Sequence, residues 1–123
     1  MPWQIIVHTD LPIIETSYSG IMTKTDLFGA AHETLDLGHA HNRTRFLADC
    51  TTLTGGHTIF DLYFLAREIS IATNLEVLKE AVLLPSFASW IEKINFWETI
   101  GINRGFQVRI FRDREPAIAW LLQ

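Results

Sequence analysis

The chain has 123 residues, 48% of them hydrophobic and 11% aromatic, the length of a single domain with enough apolar side chain to build a core without disulfides or metal. That composition excludes a disordered chain, and charges and turn residues interrupt the apolar runs well before they reach membrane-spanning length. A formal net charge of −4 supplies no general attraction to phosphate backbones, which argues against generic nucleic-acid or anionic-membrane binding.

Trp3 to His8 and Ile13 to Ser17 are short β-branched runs separated by Asp10-Leu11-Pro12, and together they predict an antiparallel hairpin. Thr23 with Asp26 three residues later has the spacing of a capping box, opening a helix through about Ala40. Leu27, Ala30, Ala31, Thr34, Leu35 and Gly38 give that helix one apolar or small face. Arg45 to Cys50 alternates, with Phe46, Ala48 and Cys50 on one side and Arg45, Leu47 and Asp49 on the other, as a half-buried strand does. The segment TTLTGG that follows reads as a turn. Thr58 with Asp61 repeats the capping-box spacing, and Phe60, Leu62, Tyr63, Phe64, Leu65, Ile69 and Ile71 make the next helix apolar around much of its circumference, as a central packing element would be.

Glu80 to Leu84, ended by Pro85, is a compact apolar run that fits an interior strand. Phe87 to Ile102 is aromatic-rich with helical period and has Gly101 or Gly105 as its stop. Gln107 to Phe111 alternates again. Asp113 then caps a terminal helix that tolerates Pro116 in its first turn and carries Ala117, Trp120 and Leu121 on a buried stripe. The order β-β-α-β-α-β-α-β-α predicts a single α/β domain over residues 1–123, with a mostly parallel sheet of about five strands and one antiparallel edge strand. Because two strands alternate polar and apolar residues, one sheet face is expected to carry the helices and the other to be partly wet.

The start, MPWQIIVHTD, has no export signal, so a cytoplasmic protein is expected. Cys50 is the single cysteine, which rules out an internal disulfide, fits a reducing compartment, and reads as a small buried strand residue before a nucleophile. Arg104, Arg109, Arg112 and Arg114 cluster near the C-terminus, but Asp113 and Glu115 among them indicate a solvated, mixed-charge surface.

The C-terminal segment NRGFQVRIFRDREPAIAWL, with the hairpin, the RFLAD strand and the AVLLP strand, resembles the SpoIIAA-like group of STAS-type domains across nearly the whole chain. The most distinctive part is F-R-D-x-x-x-A-x-x-W-L, Phe111 to Leu121, matching mainly at packing and capping positions. The resemblance implies a sheet of sequential β-α units and a non-enzymatic role. In the anti-sigma factor antagonists of this group, a serine at the start of the helix after the RFLAD-like strand is phosphorylated to control partner binding. Their Asp-Ser-Ser-Gly signature is absent here, and Thr54, Gly55, Gly56, His57 and Thr58 occupy that region, so the phosphoswitch does not transfer residue by residue. Related lipid-carrier proteins imply another role, holding an apolar small molecule beneath mobile helices.

Four groups of residues invite a site. The turn formed by Thr51, Thr52, Thr54, Gly55, Gly56, His57 and Thr58 has glycines for close backbone approach and a helix N-terminus for an anion or a phosphorylation, against its simpler use as a cap. His32, Asp36, His39 and His41 share parts of a helical face, but no H-E-x-x-H spacing occurs, and solvated histidines are the simpler reading, with no metal expected. A hydrolase reading combines a Thr or Cys nucleophile with His57 and Asp49 or Asp61, without any G-x-S-x-G elbow or P-loop to support it. Phe87, Trp90, Phe96 and Trp97, with Tyr63, Phe64 and Ile94, are candidates for lining an apolar ligand pocket or for ordinary core packing. The expected function is therefore a non-catalytic binding module for regulated protein–protein contact, with a carrier or sensor of a small apolar or lipid-like ligand as the alternative and a small hydrolase or metal-dependent enzyme behind both. No cofactor, no nucleic acid and no stable membrane insertion are expected. A homodimer stays open because Val82 and Leu83 make the interior strand apolar on both faces.

Overall fold

In the computed structural model, which describes residues 2–84 and 88–123 without the side chains of residues 75 and 88–91, β1 (Trp3–Val7) and β2 (Ile13–Ile21) form the expected antiparallel hairpin. The chain continues through α1 (Lys24–Ala40), β3 (Arg45–Gly55), α2 (Ile59–Ala72), a 3-10 turn (Leu75–Val77), β4 (Lys79–Leu83), α3 (Ala88–Asn103), β5 (Gln107–Phe111) and α4 (Arg114–Leu121). The strands lie in the order β1-β2-β3-β4-β5, antiparallel at the first pair and parallel at the other three. Both helix-opening threonines form full capping boxes, Thr23 with Asp26 and Thr58 with Asp61. Asp113 occupies the N-cap of α4 without a side-chain cap hydrogen bond. At the end of α1, Asn42 takes φ +57°, and the amide of Arg43 donates to the Gly38 carbonyl at 2.8 Å, closing the helix in a Schellman turn.

Crossovers that join neighbouring parallel strands and all step the same way place their helices on one face. Accordingly α1, α2 and α3 cover one side, where Ile14, Phe46, Ala48, Val82 and Val108 of the sheet meet Leu27, Ala30, Leu62, Leu65, Ile94 and Trp97 of the helices. The hydroxyl of Thr34 donates to the Ala30 carbonyl at 2.7 Å, so the buried Thr16 hydroxyl donates to Thr34, also at 2.7 Å, and ties β2 to α1. After β5 there is no further strand to reach, and α4 returns across the opposite face, setting Ala117 and Leu121 on Ile13, Leu47, Ala81 and Leu83. Helices therefore cover both faces, which corrects the expected one-sided arrangement. At eight residues α4 covers only the middle of its face, so Gln4 and Ile6 of β1 stay exposed, as do Gln107 and Arg109, which supply the alternation read in β5. Val82 and Leu83 lie under helices of their own chain, so the two-sided apolarity of β4 is explained without a second copy.

The second core is small, and its weight rests on few residues. Leu47 is 1% exposed between the sheet and α4, and Leu47→Ala is expected to cost about 2–5 kcal/mol in urea denaturation; a loss below about 1 kcal/mol would show that α4 is not firmly packed. An ion-pair clamp fixes the start of the same helix. Arg114 donates from Nη1 to Glu15 Oε2 at 2.7 Å and from Nη2 to Oε1 at 2.5 Å, and His8 Nε2 lies 2.8 Å from Oε1. The Arg114 hydrogen bond is the chief reason the Glu15 carboxyl lies below its ordinary value. Arg114 thus bridges α4 to the hairpin instead of joining a solvated arginine surface.

Two element boundaries also differ from the sequence reading. Thr51, Thr52, Leu53, Thr54 and Gly55 extend β3, with Thr52, Leu53 and Gly55 pairing with Ser19, Gly20 and Ile21 of β2 and Thr51 and Thr54 at two register shifts, because β-branched threonines suit a pleated strand as well as a turn. The connection to α2 is only Gly56, His57 and Thr58. On α2 the buried residues are Leu62, Leu65, Ala66 and Ile69, a single i, i+3, i+4, i+7 stripe. The helix is a cover with one inner face, and its other large apolar side chains look outward.

Candidate functional site

The loop between β3 and α2 is locked against the start of α1. The Met22 amide donates to the Gly55 carbonyl at 2.7 Å, and His57 donates from Nδ1 to the Met22 carbonyl at 3.1 Å. Gly56 adopts φ +112°, and a Cβ there would lie 2.4 Å from the Met22 carbonyl oxygen, so only glycine fits. Burial holds the His57 imidazole below its ordinary value, against the raising effect of the Met22 hydrogen bond, which keeps it neutral near pH 7. At the head of α2, Asp61 Oδ2 accepts the Thr58 amide at 2.9 Å and Thr58 Oγ1 accepts the Asp61 amide at 3.2 Å. The helix N-terminus is closed by its own carboxylate, whose charge opposes a second anion. Thr54 and Thr58 are exposed, Thr51 Oγ1 donates to Asp49 Oδ1 at 2.6 Å, and Thr52 Oγ1 donates to the Tyr18 carbonyl at 3.2 Å.

A cavity of about 60 Å³ lies next to this loop, between the sheet and the three helices. Leu62, Leu65 and Ile94 form its apolar side, Tyr18, Cys50 and Glu80 project from β2, β3 and β4, and His57 and Trp97 complete the wall. A second cavity of about 50 Å³ adjoins it, sharing Tyr18, Leu65, Glu80 and Trp97. Tyr18 and Glu80 sit at interior depth yet keep some accessible area, which the cavities supply. Trp97 Nε1 donates to Glu80 Oε1 at 2.7 Å. Burial pushes the Glu80 carboxyl up to about 7, despite the lowering effect of that hydrogen bond. Burial likewise pushes the Tyr18 hydroxyl and the Cys50 thiol well up, with the charge of Glu80 adding to both.

The outer face of α2 is a third feature. Phe60 is 74% exposed, Tyr63 and Phe64 43% each, and Ile71 78%; with Arg67 they recur at i, i+3, i+4, i+7 and i+11 along one stripe. Ile21, paired with Gly55 at the adjacent sheet end, is 69% exposed. Cations border the stripe. Lys24 Nζ lies 5.4 Å from the Phe64 ring centroid and 5.6 Å from that of Phe28, and the Arg104 guanidinium lies 5.5 Å from that of Tyr63.

No protein-family model matches this chain, and no curated protein matches it. Among solved structures, an uncharacterised protein of the DUF3478 family from Shewanella loihica PV-4, described as having a SpoIIAA-like fold, aligns over 97% of this chain and 91% of its own with a TM-score of 0.62. The fold is SpoIIAA-like. Sequence identity to that neighbour is 17%, so the likeness is one of fold, and what the fold does here must be argued from the residues it positions.

On this SpoIIAA-like frame the seven residues of the expected anion turn do not converge. Thr51, Thr52, Thr54 and Gly55 are spread along β3, while Gly56, His57 and Thr58 form the packed loop. Of the expected apolar-ligand residues, Ile94 and Trp97 line the cavity, and Phe96 packs against the core without lining either cavity. Tyr63 and Phe64 point away, because the inner stripe of α2 is taken by Leu62, Leu65 and Ile69. Phe87 and the side chain of Trp90 lie outside the described residues. Among the described residues no three His, Cys, Asp or Glu side chains converge as a metal site would require; His32 sits 3.4 Å from Glu68 on the surface, and Asp36, His39 and His41 are exposed. Asp49 is engaged by Thr51 and Asp61 by the α2 cap, and the raised Cys50 thiol is a poor nucleophile. Sequence reasoning missed Glu80 and Tyr18. The available signal was a carboxylate two residues before Val82 in an otherwise apolar strand, a spacing that puts both on one sheet face.

Proposed function

We propose that this protein is a non-catalytic binding module that docks a protein partner on the outer face of α2. The single observation that carries the reading is the exposed stripe of Phe60, Tyr63, Phe64 and Ile71, an apolar surface that a folded chain ordinarily covers. In a chain of net charge −4, the cations bordering the stripe, Lys24, Arg67 and Arg104, fit a partner segment with apolar anchors flanked by acidic residues. Thr58 at the head of the same helix offers a means of regulation. A phosphate on its Oγ would remove the capping acceptor and place about two negative charges beside Asp61 and Phe60.

The test is the double variant Phe60→Asp, Ile71→Asp. Both positions are exposed, so its unfolding free energy is expected to stay within about 0.5 kcal/mol of wild type, while a partner captured from native cells binds about tenfold more weakly or is lost. Unchanged capture of the same partner would overturn the docking surface. Binding of the wild-type chain to anionic phospholipid vesicles, abolished by the variant, would overturn the protein reading in favour of a membrane surface, and a dimer dissolved by the variant would identify the partner as a second copy. The carrier alternative finds its support in the cavity, whose size is well below the roughly 150 Å³ that holds a benzene ring and so suits a molecule smaller than a lipid.

A further inference from the structure

The cavity beneath α2 and α3 is apolar on its helix side, with Tyr18, Cys50 and Glu80 among Ala48, Leu53 and Val82 on its sheet side, and the ammonium nearest its described wall, that of Lys93, donates to the His57 carbonyl at 3.2 Å. Glu80 receives one hydrogen bond, from the Trp97 indole at 2.7 Å. Among the described residues lining the two adjoining cavities there is no lysine or arginine, and His57 is held neutral by burial. The Tyr18 hydroxyl lines both cavities and takes part in no hydrogen bond among the described residues. A carboxyl group, an uncommitted hydroxyl and an indole thus meet in a chamber whose remaining lining is largely leucine, isoleucine, valine and alanine.

We propose that this chamber binds a small organic ammonium, a primary amine with a compact apolar body, whose nitrogen pairs with the Glu80 carboxylate and the Tyr18 hydroxyl while its carbons pack on Leu62, Leu65 and Ile94. A buried carboxylate without a cation is costly, and a ligand that brings the cation offsets part of that cost. A neutral alcohol leaves the charge unpaired, and a carboxylic acid adds a second negative group. The chain's net charge of −4 favours the approach of such a cation. The volumes of about 60 and 50 Å³ limit the body to a few carbons. Because burial places the Glu80 carboxyl near 7, its charged form is within easy reach at neutral pH. The site stands independently of docking on α2, since it uses the inner stripe of that helix and not the outer one.

Ethylamine, protonated at pH 8, and ethanol, its neutral counterpart of the same shape, separate the possibilities and are both smaller than a benzene ring, as the chamber requires. With the full chain, amine titration is expected to give saturable NMR shifts of the Trp97 indole and the Leu62 and Leu65 methyl groups, and ethanol to bind about tenfold more weakly or worse. Glu80→Gln should lower amine affinity by a similar factor and leave ethanol unchanged, with Tyr18→Phe intermediate. Equal affinity for the two ligands, absence of amine-induced shifts, or equal weakening of both ligands by Glu80→Gln would overturn the proposal. Should Glu80→Gln fail to fold, the amine-to-alcohol ratio in the wild-type chain decides.

Discussion

Glu80→Gln is expected to stabilise the protein at pH 8 by about 2–3 kcal/mol and to remove the fall in stability that Glu80 causes between about pH 5 and 7. The sign follows from where the proton is held. In the unfolded chain Glu80 loses its proton near the ordinary value of 4.5, whereas in the folded chain burial raises that point to about 7. Between those values the folded state binds more protons than the unfolded one, so stability falls as pH rises through the window and is flat above it. The full difference corresponds to about 3 kcal/mol, and water reaching the carboxyl through the cavity trims it. Glutamine keeps an oxygen for the Trp97 indole and carries no charge to desolvate. Glu15 acts in the opposite sense, because its folded value is lowered, chiefly by the hydrogen bond from Arg114; its contribution is present above the unfolded value and lost as pH falls through the folded one. The lowered His57 imidazole contributes stability that is lost as pH falls below its ordinary 6.5, so the Glu80 limb is read as the difference between wild type and Glu80→Gln, and urea denaturation from about pH 2 to 8 covers it together with the Glu15 limb. Parallel curves for wild type and Glu80→Gln would show that Glu80 ionises as freely folded as unfolded.

Gly56→Ala is expected to cost about 3 kcal/mol or more, combining a disfavoured backbone angle with a collision against main chain. At φ +112° an added Cβ meets the carbonyl oxygen of Met22 at 2.4 Å and its nitrogen at 2.7 Å, and backbone cannot swing aside as a long side chain does. Relief requires the junction to open, which loses the Met22 to Gly55 hydrogen bond and the His57 contact to Met22. Gly20 supplies the control. It also has positive φ, +65°, but nothing lies within 4 Å of its added Cβ, so Gly20→Ala is expected to cost only about 1–2 kcal/mol. Equal losses in denaturant unfolding would mean that the angle alone matters and that the loop is not packed on Met22.

The junction held by Gly56 divides two surfaces that the sequence places close together without distinguishing. Phe60, Tyr63 and Phe64 lie beside Leu62 and Leu65 in the chain, and all read as apolar helix. Position around the axis separates them, with Leu62 and Leu65 forming the lid of the cavity and Phe60 and Tyr63 left to solvent. Helical period shows that the two sets differ in direction, but the side that faces the sheet depends on where α1 and α3 lie. The threonines after Cys50 illustrate the converse. Their turn-like composition gave way to strand, with Thr52 paired to Ser19 and the following Leu53 and Gly55 to Gly20 and Ile21, since a partner strand long enough to use them was available across the sheet.

Local chemistry in the chain was enough to determine the order of nine main elements, the hairpin, both threonine capping boxes and the parallel α/β architecture, because periodicity and end-capping act over a few residues. Tertiary structure alone decided that α4 returns over the second face, that Arg114 reaches Glu15 across 99 residues, and that Glu80 opens into an apolar chamber beside Tyr18 and Trp97. Those outcomes depend on which layer covers each strand, and the energy of a carboxyl group is set by what surrounds it in space more than by its neighbours along the chain.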